Sequence, residues 1–177
     1  MNRTGVSPGD FPQIVVHAID GVRRLAFNLG PAILEEADFV SSLRRYADQF
    51  TKRTGINVQF HVDVPVKLPS IYELTLYRVL QGVLSNVVAH SRAGDVAVHL
   101  GVQNKQLWMS VEDNGKGFDV KKTLDDPSQA FGLMAIRQRV ELLGGSLRME
   151  SRPKCVGQRG SGTRIEVGIP LEGSEAA

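Results

Sequence analysis

Leu107-Trp108-Met109-Ser110-Val111-Glu112-Asp113-Asn114-Gly115-Lys116-Gly117-Phe118 is the stretch from which the rest of the chain is read. Leu107, Met109 and Val111 alternate with other residues at the period of a half-buried strand. The strand then delivers a carboxylate, Asp113, straight into a glycine-bearing turn. A carboxylate at a strand end accepts a hydrogen bond from an amine such as the exocyclic amine of adenine, and Gly115 and Gly117 let the backbone turn sharply and approach a ring. Asn-Gly is also a common turn dipeptide, and on these residues alone both readings stand.

Working upstream, Val96, Val98, Leu100 and Val102 alternate in the same way, and Asn104-Lys105 between the two runs predicts a hairpin. Before them, Ser70-Ile71-Tyr72-Glu73 has the pattern of a capping box. It opens a helix running to about Ser91, with Leu74, Tyr77, Leu80, Leu84, Val87 and Val88 expected on one buried face. Ile56, Val58, Phe60 and Val62 predict a strand. A helix over about 38–53 precedes it, with Phe39, Leu43, Tyr46, Ala47 and Phe50 on one face and Gly55 just past its end. A further helix is expected over 11–29, ended by Gly30-Pro31.

Downstream, 119–130 is polar, carries a proline and has no periodicity, which predicts a binding loop or lid. A helix over 133–143 ends at Gly144-Gly145, and strands over 146–152 and 163–169 flank a second glycine-rich loop, 157–162. The order of elements predicts an α+β fold, a two-layer sandwich whose mixed, mostly antiparallel sheet is covered on one face by helices.

The 177 residues suffice for one domain of ordinary size and a short extra element. With 21 Lys and Arg against 19 Asp and Glu, no dense cationic face is expected, and nucleic acid is not an expected partner. The lone cysteine, Cys155, fits a reducing compartment. With no signal-peptide pattern and no run of about 18 apolar residues, the expected location is the cytoplasm.

Two more segments carry chemistry. Asn86, in Tyr77-Arg78-Val79-Leu80-Gln81-Gly82-Val83-Leu84-Ser85-Asn86-Val87-Val88-Ala89-His90, presents an amide oxygen of the kind Mg²⁺ accepts, although a helix-edge asparagine needs no ligand. Phe131-Gly132-Leu133-Met134 and Gly160-Ser161-Gly162-Thr163 form a split third segment. A glycine opening a helix offers free amides to phosphate, and Thr163 offers a hydroxyl beside a base. Glycines that only end lids and hairpins are the competing account.

In order and spacing these segments resemble the N, G1 and G2 boxes of the GHKL ATPases, which share the Bergerat fold, over about 38–170. Leu25-Ala26-Phe27-Asn28-Leu29-Gly30-Pro31, Arg53-Thr54-Gly55-Ile56, Leu76-Tyr77-Arg78-Val79-Leu80-Gln81 and Arg139-Val140-Glu141-Leu142-Leu143-Gly144-Gly145 are most similar to nitrate-sensor-type histidine kinases. The resemblance implies ATP or ADP with Mg²⁺ as cofactors. It places Asp113 on adenine with Asn114, Gly115 and Gly117 around it, and Asn86 on the metal. His90, Gly132, Leu133, Met134, Gly162 and Thr163 complete the nucleotide site, and 119–131 is the lid. It divides the chain into an N-terminal helix (1–32) left from a dimerisation hairpin, the ATP-binding catalytic domain (33–173) and a tail (174–177). The partners it implies are the dimerisation and phosphoacceptor helices of a kinase and a response-regulator receiver domain, with a homodimer among the arrangements.

The chain departs from the family at two positions. Gly82 stands where an acidic residue is usual, four positions before Asn86, and Ala89 stands where lysine is usual. The first removes a base or water-orienting group and the second a positive charge near phosphate, so no residue is assigned a catalytic role. Glycine in mid-helix costs about 1 kcal/mol relative to alanine, which points to something packed closely there. His17 is followed by Ala18 rather than an acidic residue and is read as structural. The expected function is the ATP-binding catalytic domain of a two-component sensor histidine kinase. The alternative is a degenerate kinase domain that binds nucleotide and regulates a partner without catalysis.

Overall fold

Asn104 and Lys105 both take left-handed backbone conformations, with φ of 52° and 59°, the geometry that folds two strands back with a two-residue loop. In this computed structural model, which describes residues 38–64, 67–153 and 160–171, that hairpin joins β2 (Asp95–Gln103) to β3 (Gln106–Asp113). Around it lie α1 (Phe39–Thr54), β1 (Asn57–Asp63), α2 (Ser70–Asn86), α3 (Val120–Asp125), α4 (Pro127–Glu141), β4 (Ser146–Arg152) and β5 (Gly162–Pro170). The five strands make one sheet in the order β1-β2-β3-β5-β4. Only β1 and β2 pair in parallel, across the crossover that contains α2, and the remaining pairs are antiparallel. The expected mixed, mostly antiparallel sheet is therefore present. The expected helix over 11–29 and the tail lie outside the described residues.

Side chains sort by strand period. Val96, Val98 and Leu100 of β2, Leu107, Met109 and Val111 of β3, and Ile165, Val167 and Ile169 of β5 are buried. They form the core with Leu43 and Phe50 of α1, Leu76, Leu80 and Leu84 of α2, and Ile136 and Val140 of α4. The other sheet face is polar, with Arg164 paired to Glu166 at 2.7 Å and His61 stacked on His99. Asp38 caps α1 by accepting from the Ser41 amide at 3.1 Å, and Gly55 closes it at φ 75°.

Two local expectations are corrected. Ser70 is not a cap: Pro69 precedes the helix, no side chain caps it, and the Pro69 carbonyl accepts the Tyr72 and Glu73 amides. Proline fixes φ near the helical value and so sets the entry by backbone alone. The segment 119–130 is not an irregular loop but α3 followed by the start of α4, and α4 begins at Pro127 rather than Leu133. Asp119 caps α3 through the Lys122 amide at 3.0 Å, and Pro127 occupies the first helical position, where its missing N–H costs nothing.

Candidate functional site

β3 ends at Asp113 on the buried face of the sheet, where the side chain is 7% exposed. Its Oδ1 accepts the Ser91 hydroxyl at 2.6 Å and the Gly115 amide at 2.8 Å. Among the described residues the carboxylate makes no further hydrogen bond, and Asp113 lines a hollow at the strand ends, which leaves Oδ2 available as an acceptor. A buried carboxylate with one oxygen anchored and the other free is built to take one more donor.

The glycines are fixed by contact. A Cβ on Gly115 would run into the Ser91 hydroxyl and carbonyl. One on Gly162, at φ 148°, would strike the Asp113 carbonyl, and Gly117, at φ 61°, lies against the Arg152 carbonyl. In each case the close neighbour is the protein's own backbone or side chain, so these glycines let chain segments pack together at the end of β3. Asn114 holds the backbone together here. Its Oδ1 accepts the Gly94 and Asp95 amides at 3.0 Å each and its Nδ2 donates to Asp95 at 2.9 Å, stapling the start of β2 to the end of β3.

Thr163 pairs with Asp113 across β3 and β5, and its hydroxyl lies 2.9 Å from that of Ser151. Ser151 also accepts the Phe118 amide at 2.9 Å, so it joins the turn after β3 to β5. A hollow at these strand ends is lined in part by Asp113, Arg152, Gly160, Ser161, Gly162 and Thr163.

Asn86 ends α2 and is half-buried. Beyond it the chain widens into a π-type turn, Val87–Ser91, that carries Ser91 inward to Asp113 and leaves His90 exposed, along with Val88, a residue expected on the buried face. Gly132 stands over Asn86, and a Cβ there would lie 3.3 Å from the amide oxygen. Leu133 is buried, whereas Met134 is exposed. The expectation that Gly132 opens a helix and presents free amides is corrected. It lies inside α4, beyond the first turn, where amides belong to the helical ladder.

Gly82 faces α4. A Cβ there would stand 3.1 Å from Ile136 Cγ1 and 3.2 Å from Cδ1, and Ile136 is 1% exposed. The close packing expected at this glycine is this contact. One turn away Arg78 donates to Gln81 at 3.0 Å and Arg139 to the Ala135 carbonyl at 3.0 Å. Burial, and then the charge of Arg78, lower the pKa of Arg139.

The site residues seen in sequence thus form two groups: Asp113, Gly115, Gly117, Gly162 and Thr163 at the strand ends, and Asn86 with Gly132 where α2 meets α4. Ser91 and Ser151 join them without a signal in the sequence pattern. Ser91 lies five residues after Asn86, about 140° around an ideal helix, so a regular period turns it away from the site. Only the wide turn corrects this. Ser151 shows no signal short of the strand pairing.

Comparison with known proteins covers the same stretch of the chain. Residues 71–173 match the family model for histidine kinase-, DNA gyrase B-, and HSP90-like ATPases. The signal transduction histidine-protein kinase/phosphatase DegS of Brevibacillus brevis is 30% identical over 94% of this chain and 41% of its own length. The sensor histidine kinase LiaS of Bacillus subtilis (strain 168) is 32% identical over 85% of this chain and 39% of its own. The chain thus spans about two fifths of these relatives. Among solved structures, the histidine kinase domain of the Erythrobacter litoralis EL346 blue-light activated histidine kinase superposes with a TM-score of 0.58 at 25% identity, covering 75% of this chain and 61% of that one. Among the described residues no helix is long and apolar enough to cross a membrane. With a family model matched over more than half its length and relatives that are themselves sensor kinases, the chain belongs to the histidine kinase-, DNA gyrase B- and HSP90-like ATPases, as the ATPase domain of a sensor histidine kinase.

Proposed function

We propose that the chain holds Mg-ATP for transfer of its terminal phosphoryl group to a histidine, as the catalytic domain of a two-component kinase. The observation that carries this is Asp113: an anchored carboxylate with one free oxygen, walled by glycines that admit nothing larger than hydrogen. A planar base with an exocyclic amine suits such a site. Asn86 supplies a hard oxygen for Mg²⁺, an ion that retains waters and needs few protein ligands, and the bound ion would offset phosphate charge. Gly115, Gly117, Gly162 and Thr163 serve the base side, and His90, Gly132, Leu133 and Met134 the phosphate side. The histidine to be phosphorylated, the helices that carry it, the receiver domain that would take the group onward and a homodimeric arrangement are partners inferred from the relatives.

A second reading is favoured by one observation: Ile136 fills the space into which a side chain at Gly82 would project. In that reading the domain binds nucleotide and regulates a partner without turnover. A titration with ATP, with and without Mg²⁺, followed by a phosphotransfer assay with a supplied phosphoacceptor domain, separates the two. Mg-dependent binding with transfer supports a kinase, binding alone supports the regulator, and no binding refutes both.

A further inference from the structure

We propose that Ser91 sets base selectivity, by fixing the Asp113 carboxylate so that Oδ2 alone faces the ligand. The inference rests on the reading of Asp113 as the adenine acceptor and adds a residue to which neither the sequence nor the comparisons give a role.

Ser91 is 9% exposed and donates to Asp113 Oδ1 at 2.6 Å, the short separation of a charge-assisted hydroxyl bond. Its carbonyl also accepts the Lys116 amide at 2.8 Å, so the residue is tied by side chain and backbone to the turn that follows β3. A carboxylate rotates about its terminal bond in a broad well. Two donors converging on one oxygen, the Ser91 hydroxyl and the Gly115 amide, remove that freedom. The wide turn Val87–Ser91 brings the hydroxyl there, and left-handed Arg92, at φ 58°, ends it. Such wide turns concentrate at functional sites. This one begins beside Asn86 and ends on Ser91.

Without the hydroxyl, Oδ1 keeps only the Gly115 amide, and the carboxylate loses the bond that holds its plane. Its attraction for an amine then falls, while contacts that ignore the amine persist. Selectivity drops more than affinity for the remainder of the nucleotide.

The test compares ATP with purine riboside triphosphate, which lacks the exocyclic amine, on the wild type and Ser91→Ala by calorimetric titration. The wild type is expected to prefer ATP by roughly tenfold or more, the worth of one hydrogen bond to a charged acceptor. In Ser91→Ala the preference is expected to fall about three- to tenfold with purine riboside triphosphate binding unchanged. An equal loss for both ligands would mark Ser91 as merely structural, and an unchanged preference would overturn the proposal outright. If the wild type itself shows no preference, it is the reading of Asp113 that fails. Should Ser91→Ala not fold, Ser91→Cys fills the same space with a weak donor, and the same ratios decide.

Discussion

Gly82 illustrates what a residue does when two requirements compete for it. Helix propensity favours almost any other residue there by up to about 1 kcal/mol, and a carboxylate would lie one turn before Asn86. Propensity alone makes Gly82→Glu mildly stabilising, but the contact with buried Ile136 reverses the sign. Overpacking a core contact costs about 1–3 kcal/mol, so Gly82→Glu is expected to lower stability by about 1–2 kcal/mol net. Part of that loss should return when Ile136→Val trims the Cδ1 methyl. Chemical denaturation of the two single variants and the double gives the coupling, and strict additivity would show that the two side chains do not meet. If folded Gly82→Glu hydrolyses ATP faster than wild type at similar affinity, the glycine limits turnover, since general-base assistance is worth about a hundred- to ten-thousandfold.

At the scale of elements, α3 and α4 are held unequally. α3 buries no residue, whereas α4 buries Ala130, Leu133, Ile136 and Val140. Segments with little buried apolar contact open first, so amides of 119–126 are expected to exchange much faster than those of β3 without nucleotide, and to slow when ATP is added. Hydrogen exchange read by mass spectrometry checks this, and strong protection of α3 in the free protein would remove it as a lid. Gly132 makes a linked prediction. Its position 3.3 Å from the Asn86 amide oxygen leaves Gly132→Ala tight against that group, so this variant is expected to lose Mg-dependence of ATP binding by several fold. Unchanged Mg-dependence would separate Gly132 from the metal.

For the molecule as a whole, the sequence made the sheet legible because its strands alternate cleanly and its hairpin and helix ends carry Asn-Lys, Asp38 and Gly55. It hid α3 because a six-residue helix whose only apolar residues are Val120 and Leu124 buries no face, and it hid the early start of α4 because Asp126-Pro127 reads equally as a turn or as a helix entry. The residues gathered at the strand ends were legible since glycines and a strand-end carboxylate are sparse local signals. Ser91 and Ser151 were not, since each reaches the site only through a distortion or a pairing that no local pattern encodes. His17 gives a prediction at this scale. With Ala18 after it in place of an acidic residue, the chain incubated with labelled ATP is expected to carry no acid-labile phosphate, and label that vanishes in His17→Ala would contradict this.

The most direct test of the adenine site is calorimetric titration of ATP into wild type and Asp113→Ala in the presence of Mg²⁺, with thermal melts to confirm that both are folded. Loss of a charge-assisted hydrogen bond is worth about 1.5–3 kcal/mol, so a folded Asp113→Ala is expected to bind ATP roughly ten- to a hundredfold more weakly, with GTP binding poorly to the wild type. Wild-type ATP affinity in the folded variant would contradict the account.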